Sequence, residues 1–283
     1  MNAIKKLFSG THRVVPDFFV IGAQKAGSTA LYEYLKKHPA IIACNIKEHH
    51  FFSCDNRYEQ GFEFYRSLFP QKTRGKLTFD ASPSYLHNEK ACERIWKYNP
   101  QAKIIILLRD PVKRAYSAWN MYRKRYMENR EWFFDNWLNY CSQDNVSYRR
   151  RTDAQLYDFR AYIEAEMQAD KCSNEIFEAP IVPLGRYYHQ VVRYQQRFPR
   201  ENILIIESES FYNQTAARMN QVFCFLGLPP VIGNDIDMAP IFVGEYDQSI
   251  DNEAMEILAK YYSRDNEELF CLIGNRFQWE GVE

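Results

Sequence analysis

No net charge is carried by the 283-residue sequence: lysine and arginine total 36, aspartate and glutamate also 36. Without a global positive field, neither nucleic acid nor an anionic membrane is indicated as a partner, and any anion site must be built locally. Long apolar runs are missing too. Nothing approaches the roughly 20 apolar residues of a membrane-spanning helix, and the opening MNAIKKLFSGTHR holds too short an apolar segment for a secretory signal. Cysteine occurs at Cys44, Cys54, Cys92, Cys141, Cys172, Cys224 and Cys271, never as C-x-x-C. An odd, scattered set argues against a disulfide framework or a zinc site, so reduced thiols in a cytoplasmic protein are expected. Internal repeats and low-complexity linkers are also missing. One domain is therefore expected over 17–283, after a polar lead-in at 1–16, with 131–180 as a polar, helical section.

Aromatic residues are plentiful, at 16% with 20 Tyr and 20 Phe, and the length allows a substantial core. The pattern that orders the chain is Phe18 to Pro39. Phe18-Phe19-Val20-Ile21 reads as a buried strand, Gly22 begins a turn, and Ala30, Leu31, Tyr34 and Leu35 recur at helical spacing from Ser28 onward. Strand, glycine-bearing loop and helix N-terminus together make an anion cradle. The first N–H groups of a helix lack internal partners, and the helix dipole is positive there. The loop reads G-x-x-x-x-G-S-T, with serine where the nucleotide-triphosphate pattern G-x-x-x-x-G-K-[ST] needs lysine, and Lys25 supplies the charge instead.

A second strand, Lys103 to Leu108, delivers Arg109 and then Asp110-Pro111, a good N-cap and first helical residue. Its helix repeats Ala115, Ala118, Trp119, Tyr122 and Tyr126 on one face. Further strands are expected at Ile41–Ala43, Lys76–Asp80 and, as a buried one, Asn202–Glu207, with helices at 158–170, 215–226 and 253–270. Tyr148 to Arg151 reads as a solvated basic face. Expected overall is an α/β fold: a P-loop-like domain with a central, mostly parallel sheet flanked by helices.

Q-K-A-G-S-T after a strand resembles the 5′-phosphosulfate loop of sulfotransferases that use 3′-phosphoadenosine 5′-phosphosulfate (PAPS). More narrowly, the chain resembles the branch with the heparan sulfate N- and 3-O-sulfotransferase domains. R-D-P-V-K-R-A-Y-S is similar to that family's 3′-phosphate motif, K-E-H-H-F-F to its catalytic-base segment, and Gly185-Arg186-Tyr187 to its G-x-Y element. The resemblance implies donor contacts from Lys25, Ala26, Gly27, Ser28, Thr29, Arg109, Ser117 and Tyr187. It implies Glu48 as base, His50 as its companion, and Lys25 as the group that neutralises charge on the bridging oxygen. Another branch uses histidine as base, which leaves His49 and His50 as rivals. No metal is implied.

Two departures bear on the acceptor. Ala81 stands where heparan-modifying relatives place a lysine, and Met238 to Glu253 lacks the cysteines and basic residues of their donor-covering loop. Expected acceptors are accordingly a small-molecule natural product or a carbohydrate, with 131–180 on the acceptor side. The alternative from another class is a P-loop nucleotide kinase or nucleotide-binding module.

Overall fold

The computed structural model describes residues 15–70, 75–131, 133, 148–149, 151–172, 176–177, 179–230 and 251–279. In chain order these form β1 (Phe18–Gly22), α1 (Ser28–Lys37), β2 (Ile41–Ala43), α2 (Asp55–Tyr58), α3 (Gly61–Ser67), β3 (Leu77–Ala81), α4 (Ser84–His87) and α5 (Glu89–Tyr98). There follow β4 (Lys103–Leu108), α6 (Pro111–Glu128), β5 (Tyr148–Arg149), α7 (Asp153–Tyr157), α8 (Phe159–Cys172), β6 (Ile176–Phe177) and α9 (Tyr187–Gln195). The last elements are β7 (Ile203–Glu207), α10 (Ser208–Asn213), α11 (Thr215–Leu226) and α12 (Asn252–Ile273).

Five strands pair in the order β2-β3-β1-β4-β7, all parallel. β1 and β4 are covered on both faces, which is why each reads as a continuous apolar run rather than an alternating one. From β1 the chain crosses to the β2–β3 side; from β4 it proceeds to β7. The crevice between the carboxyl ends of β1 and β4 is thus the point where connections diverge, the usual ligand position in an open α/β sheet.

Around this sheet packs one apolar cluster, and a second joins α6 to α7, α8 and α12. Every residue of the apolar face expected on α6, from Ala115 to Tyr126, is buried in the second cluster. Three features differ from what the sequence pattern suggests. β7 is an edge strand, in which only Ile206 is fully buried, because β4 flanks it on one side alone. The section 131–180 is not wholly helical, since β5 and β6 pair in parallel there. Arg151 is no solvated residue; it is buried in an ion pair with Glu166, whose carboxylate also accepts from the Ile181 and Val182 N–H groups.

Candidate active site

At the end of β1 the backbone passes close to α4. A Cβ on Gly22 would stand 2.7 Å from Leu86 Cβ and 3.1 Å from the Pro83 carbonyl, so only glycine fits. The Ala23 N–H donates to the Leu107 carbonyl at 2.6 Å, tying the loop to β4. Lys25 (φ 66°) and Gly27 (φ 95°) take left-handed conformations before α1 begins. Gly27 offers no side-chain cap, and no acidic residue stands in the first turn. The N-terminal end of α1 therefore keeps its electropositive character for an external anion.

Arg109 leaves β4 beside this loop, and its Nη1 donates to the Lys25 carbonyl at 3.1 Å. Two motifs distant in sequence thus meet in one crevice. Tyr187 Oη donates to the Arg109 carbonyl at 3.0 Å, and burial pushes that phenol's pKa far up, keeping it a neutral donor. Ser208 Oγ donates to the Ala26 carbonyl at 2.9 Å, while Gln24 Nε2 reaches Tyr122 Oη at 3.0 Å. Asp110 caps α6, accepting from the Val112 and Lys113 N–H groups at 2.8 and 3.4 Å. Burial raises its pKa to about 6, with neighbouring Glu209 adding to the effect. Ser117, two turns along α6, is buried.

The third component enters from the β3 side. The Glu48 N–H donates to the Ala81 carbonyl at 3.0 Å, placing Glu48 at the carboxyl end of β3. Its backbone (φ 58°) and that of His50 (φ 56°) are left-handed without being glycine, a conformation that costs on the order of 1–3 kcal/mol each. Between them His49 is buried and anchors the segment, with Nε2 3.3 Å from Asp80 Oδ2. Burial lowers the His49 pKa and Asp80 more than offsets it, yet Nδ1 accepts from the Phe51 N–H at 3.1 Å; the ring's proton belongs on Nε2, facing the carboxylate. Asp80 is itself satisfied by the Tyr65 and Tyr85 hydroxyls at 3.0 and 2.8 Å.

His50 is held differently. Its Nδ1 lies 2.7 Å from Ser84 Oγ, and burial drives its pKa down to about 4, so the imidazole is neutral at pH 7. The Glu48 carboxylate meets Lys47 Nζ, which also donates to Thr29 Oγ1 at 2.9 Å. A carboxylate, a cation and the N-terminal turn of α1 are thereby joined. Such a set can hold an anionic group and take a proton beside it.

The loop residues Lys25 to Thr29, Arg109, Tyr187 and Glu48 thus gather at the carboxyl edge of β1, β3 and β4. His49 does not join them, because it is buried against Asp80. Lys47 and Ser84 escape sequence reasoning; the one signal for Lys47 is its place directly before Glu48. Most of the expected donor-covering interval lies at 231–250, outside the described residues. Among the described residues, no group of three or more His, Cys, Asp or Glu could hold a metal ion, and no helix is long and apolar enough to cross a membrane.

Comparison with known proteins agrees with this fold. Residues 15–236 match the family model described as "Sulfotransferase domain". Human heparan sulfate glucosamine 3-O-sulfotransferase 3B1 is 24% identical over 99% of this chain and 69% of its own length. Human bifunctional heparan sulfate N-deacetylase/N-sulfotransferase 3 is 30% identical over 76% of this chain, which spans 23% of that protein. For most of the curated relatives it matches, the chain spans less than two thirds of their length. Among solved structures, a sulfotransferase from Alicyclobacillus acidocaldarius superposes with a TM-score of 0.66 at 25% identity, covering 93% of this chain and 98% of that one.

Proposed function

Because the chain belongs to the sulfotransferase domain family, we propose that it moves a sulfuryl group from PAPS to an acceptor hydroxyl or amine, releasing adenosine 3′,5′-bisphosphate. The observation that carries this reading is the Arg109 to Lys25 hydrogen bond, which sets the two candidate phosphate motifs side by side. In the proposed reaction the Gly27, Ser28 and Thr29 N–H groups hold the 5′-phosphate and Lys25 offsets charge on the bridging oxygen. Arg109 and Ser117 take the 3′-phosphate, the guanidinium offering a planar fork to it. Glu48 accepts the acceptor's proton as the new bond to sulfur forms. Positioning and charge stabilisation supply most of the rate, as in phosphoryl transfer.

For the acceptor, relatives named for heparan sulfate support a saccharide. Against a highly anionic one stands Ala81, a buried methyl beside Glu48 where a lysine would hold such a chain. A neutral or weakly charged saccharide, or a small natural product, fits both observations, and transfer of labelled sulfur to a panel of such acceptors tests the choice. A cytoplasmic setting belongs to the same proposal. Calorimetry tests the donor: adenosine 3′,5′-bisphosphate should bind at least about 10-fold more tightly than ATP, a difference near 1.4 kcal/mol. Preference for ATP would instead indicate a nucleotide kinase or nucleotide-binding module.

A further inference from the structure

Lys47 and Glu48 stand in a turn after β2, where the strand rule that sends neighbouring side chains to opposite faces does not hold. Within this turn Glu48 is left-handed (φ 58°), and its carboxylate meets the Lys47 ammonium. The backbone is in turn fixed by the Glu48 N–H on the Ala81 carbonyl and by buried His49 on Asp80. Lys47 is fixed independently. Its Nζ donates to Thr29 Oγ1 at 2.9 Å and lies 5.9 Å from the centre of the Tyr32 ring, one turn further along α1. Side-chain exposures of 23% for Lys47 and 39% for Glu48 make this a partly solvated pair, a kind that contributes little to stability. A left-handed, non-glycine residue beside a pair that adds so little to stability points to a role other than folding.

Resting on the sulfotransferase reading above, we propose that Lys47 is a positioning residue that locks Glu48 to the donor loop. One ammonium spans Glu48 Oε1 and the Thr29 hydroxyl, so the carboxylate keeps a fixed place relative to the α1 N-terminus. Oε1 is occupied, leaving Oε2 to face the acceptor. In the step itself the acceptor O–H or N–H bond breaks and its proton passes to Oε2. The freed electron pair forms the bond to sulfur, and the sulfur to bridging-oxygen bond breaks with its pair leaving on the bisphosphate. Lys47 forms no covalent bond. It sets the angle from which Glu48 works.

The test is a double-mutant cycle read by breakdown of PAPS with water as acceptor, which needs no knowledge of the natural acceptor, and by calorimetry with adenosine 3′,5′-bisphosphate. Lys47→Met should lower kcat about 10–100-fold, the scale of a misplaced catalytic group, with KM for PAPS and bisphosphate affinity within about 3-fold of wild type. Lys47→Arg, which keeps the charge, should recover most of the loss. Added to Glu48→Gln, Lys47→Met should cost nothing further, because it acts through that carboxylate. Additive losses, full activity in Lys47→Met, or bisphosphate affinity falling as far as kcat would overturn the role of Lys47 alone. A wild-type protein that neither binds the bisphosphate nor breaks down PAPS would overturn the functional reading beneath it.

Discussion

Glu48, His50 and His49 stand in one stretch of three residues, and the fold gives each a different environment. Glu48 reaches the first turn of α1 through Lys47, His50 is a neutral ring on Ser84, and His49 is buried between them in the chain. Glu48→Gln should therefore lose about two to four orders of magnitude in kcat, the usual worth of a placed general base, while binding bisphosphate as before. His50→Ala should lose less than about 10-fold. Steady-state kinetics with PAPS checks both, and the reverse ranking would make His50 the base. Sequence legibility at this scale was uneven. Residue types in known motifs could be read directly, whereas the rivalry among the three could not, since it depends on which side chain the Asp80 carboxylate draws inward. Lys47 was hidden for a related reason: its contacts with Glu48 and Thr29 depend on tertiary packing that residue identity does not announce.

At the scale of elements, Arg109 follows β4 and Asp110 then caps α6, the helix that bears Ser117. Asp110 accepts two N–H groups yet is buried, which raises its pKa to about 6. Asp110→Asn keeps an acceptor and removes the buried charge, so stability at pH 7 should be unchanged or slightly higher. Asp110→Ala should cost about 0.5–2 kcal/mol, read by urea denaturation. The cap and its helix were legible because Asp-Pro before an apolar 3.6-residue pattern is a local signal. Burial of Arg151 was not, since its partner Glu166 lies on α8 and only tertiary packing brings them together. Arg151→Ala leaves Glu166 buried without its cation and should destabilise by about 3–5 kcal/mol. A loss under 1 kcal/mol in the same denaturation assay would contradict that account of the pair.

For the whole molecule, parallel strands and the crevice between β1 and β4 were legible, because doubly covered strands leave unbroken apolar runs. The edge position of β7 was not, as a similar run also suits a flank. Burial holds His50 near pKa 4 and His87 near 3, below the ordinary imidazole value of about 6.5. Between about pH 6.5 and 3–4 the unfolded chain thus binds protons that the folded one does not. Stability from this source is complete above about 6.5 and lost on acidification. Asp110, raised to about 6, acts in the opposite sense below that pH, so the informative comparison is by variant. Replacing His50 and His87 with glutamine should flatten the fall in urea midpoint between pH 7 and 4.5, and an equally steep fall would remove these histidines as its cause.

The most direct measurement is a crystal structure with adenosine 3′,5′-bisphosphate. The 5′-phosphate should lie on the Gly27 to Thr29 N–H groups and the 3′-phosphate between Arg109 and Ser117, with the Glu48 carboxylate facing the 5′ end. A bisphosphate bound elsewhere, or one whose two phosphates do not reach both motifs, would contradict this placement.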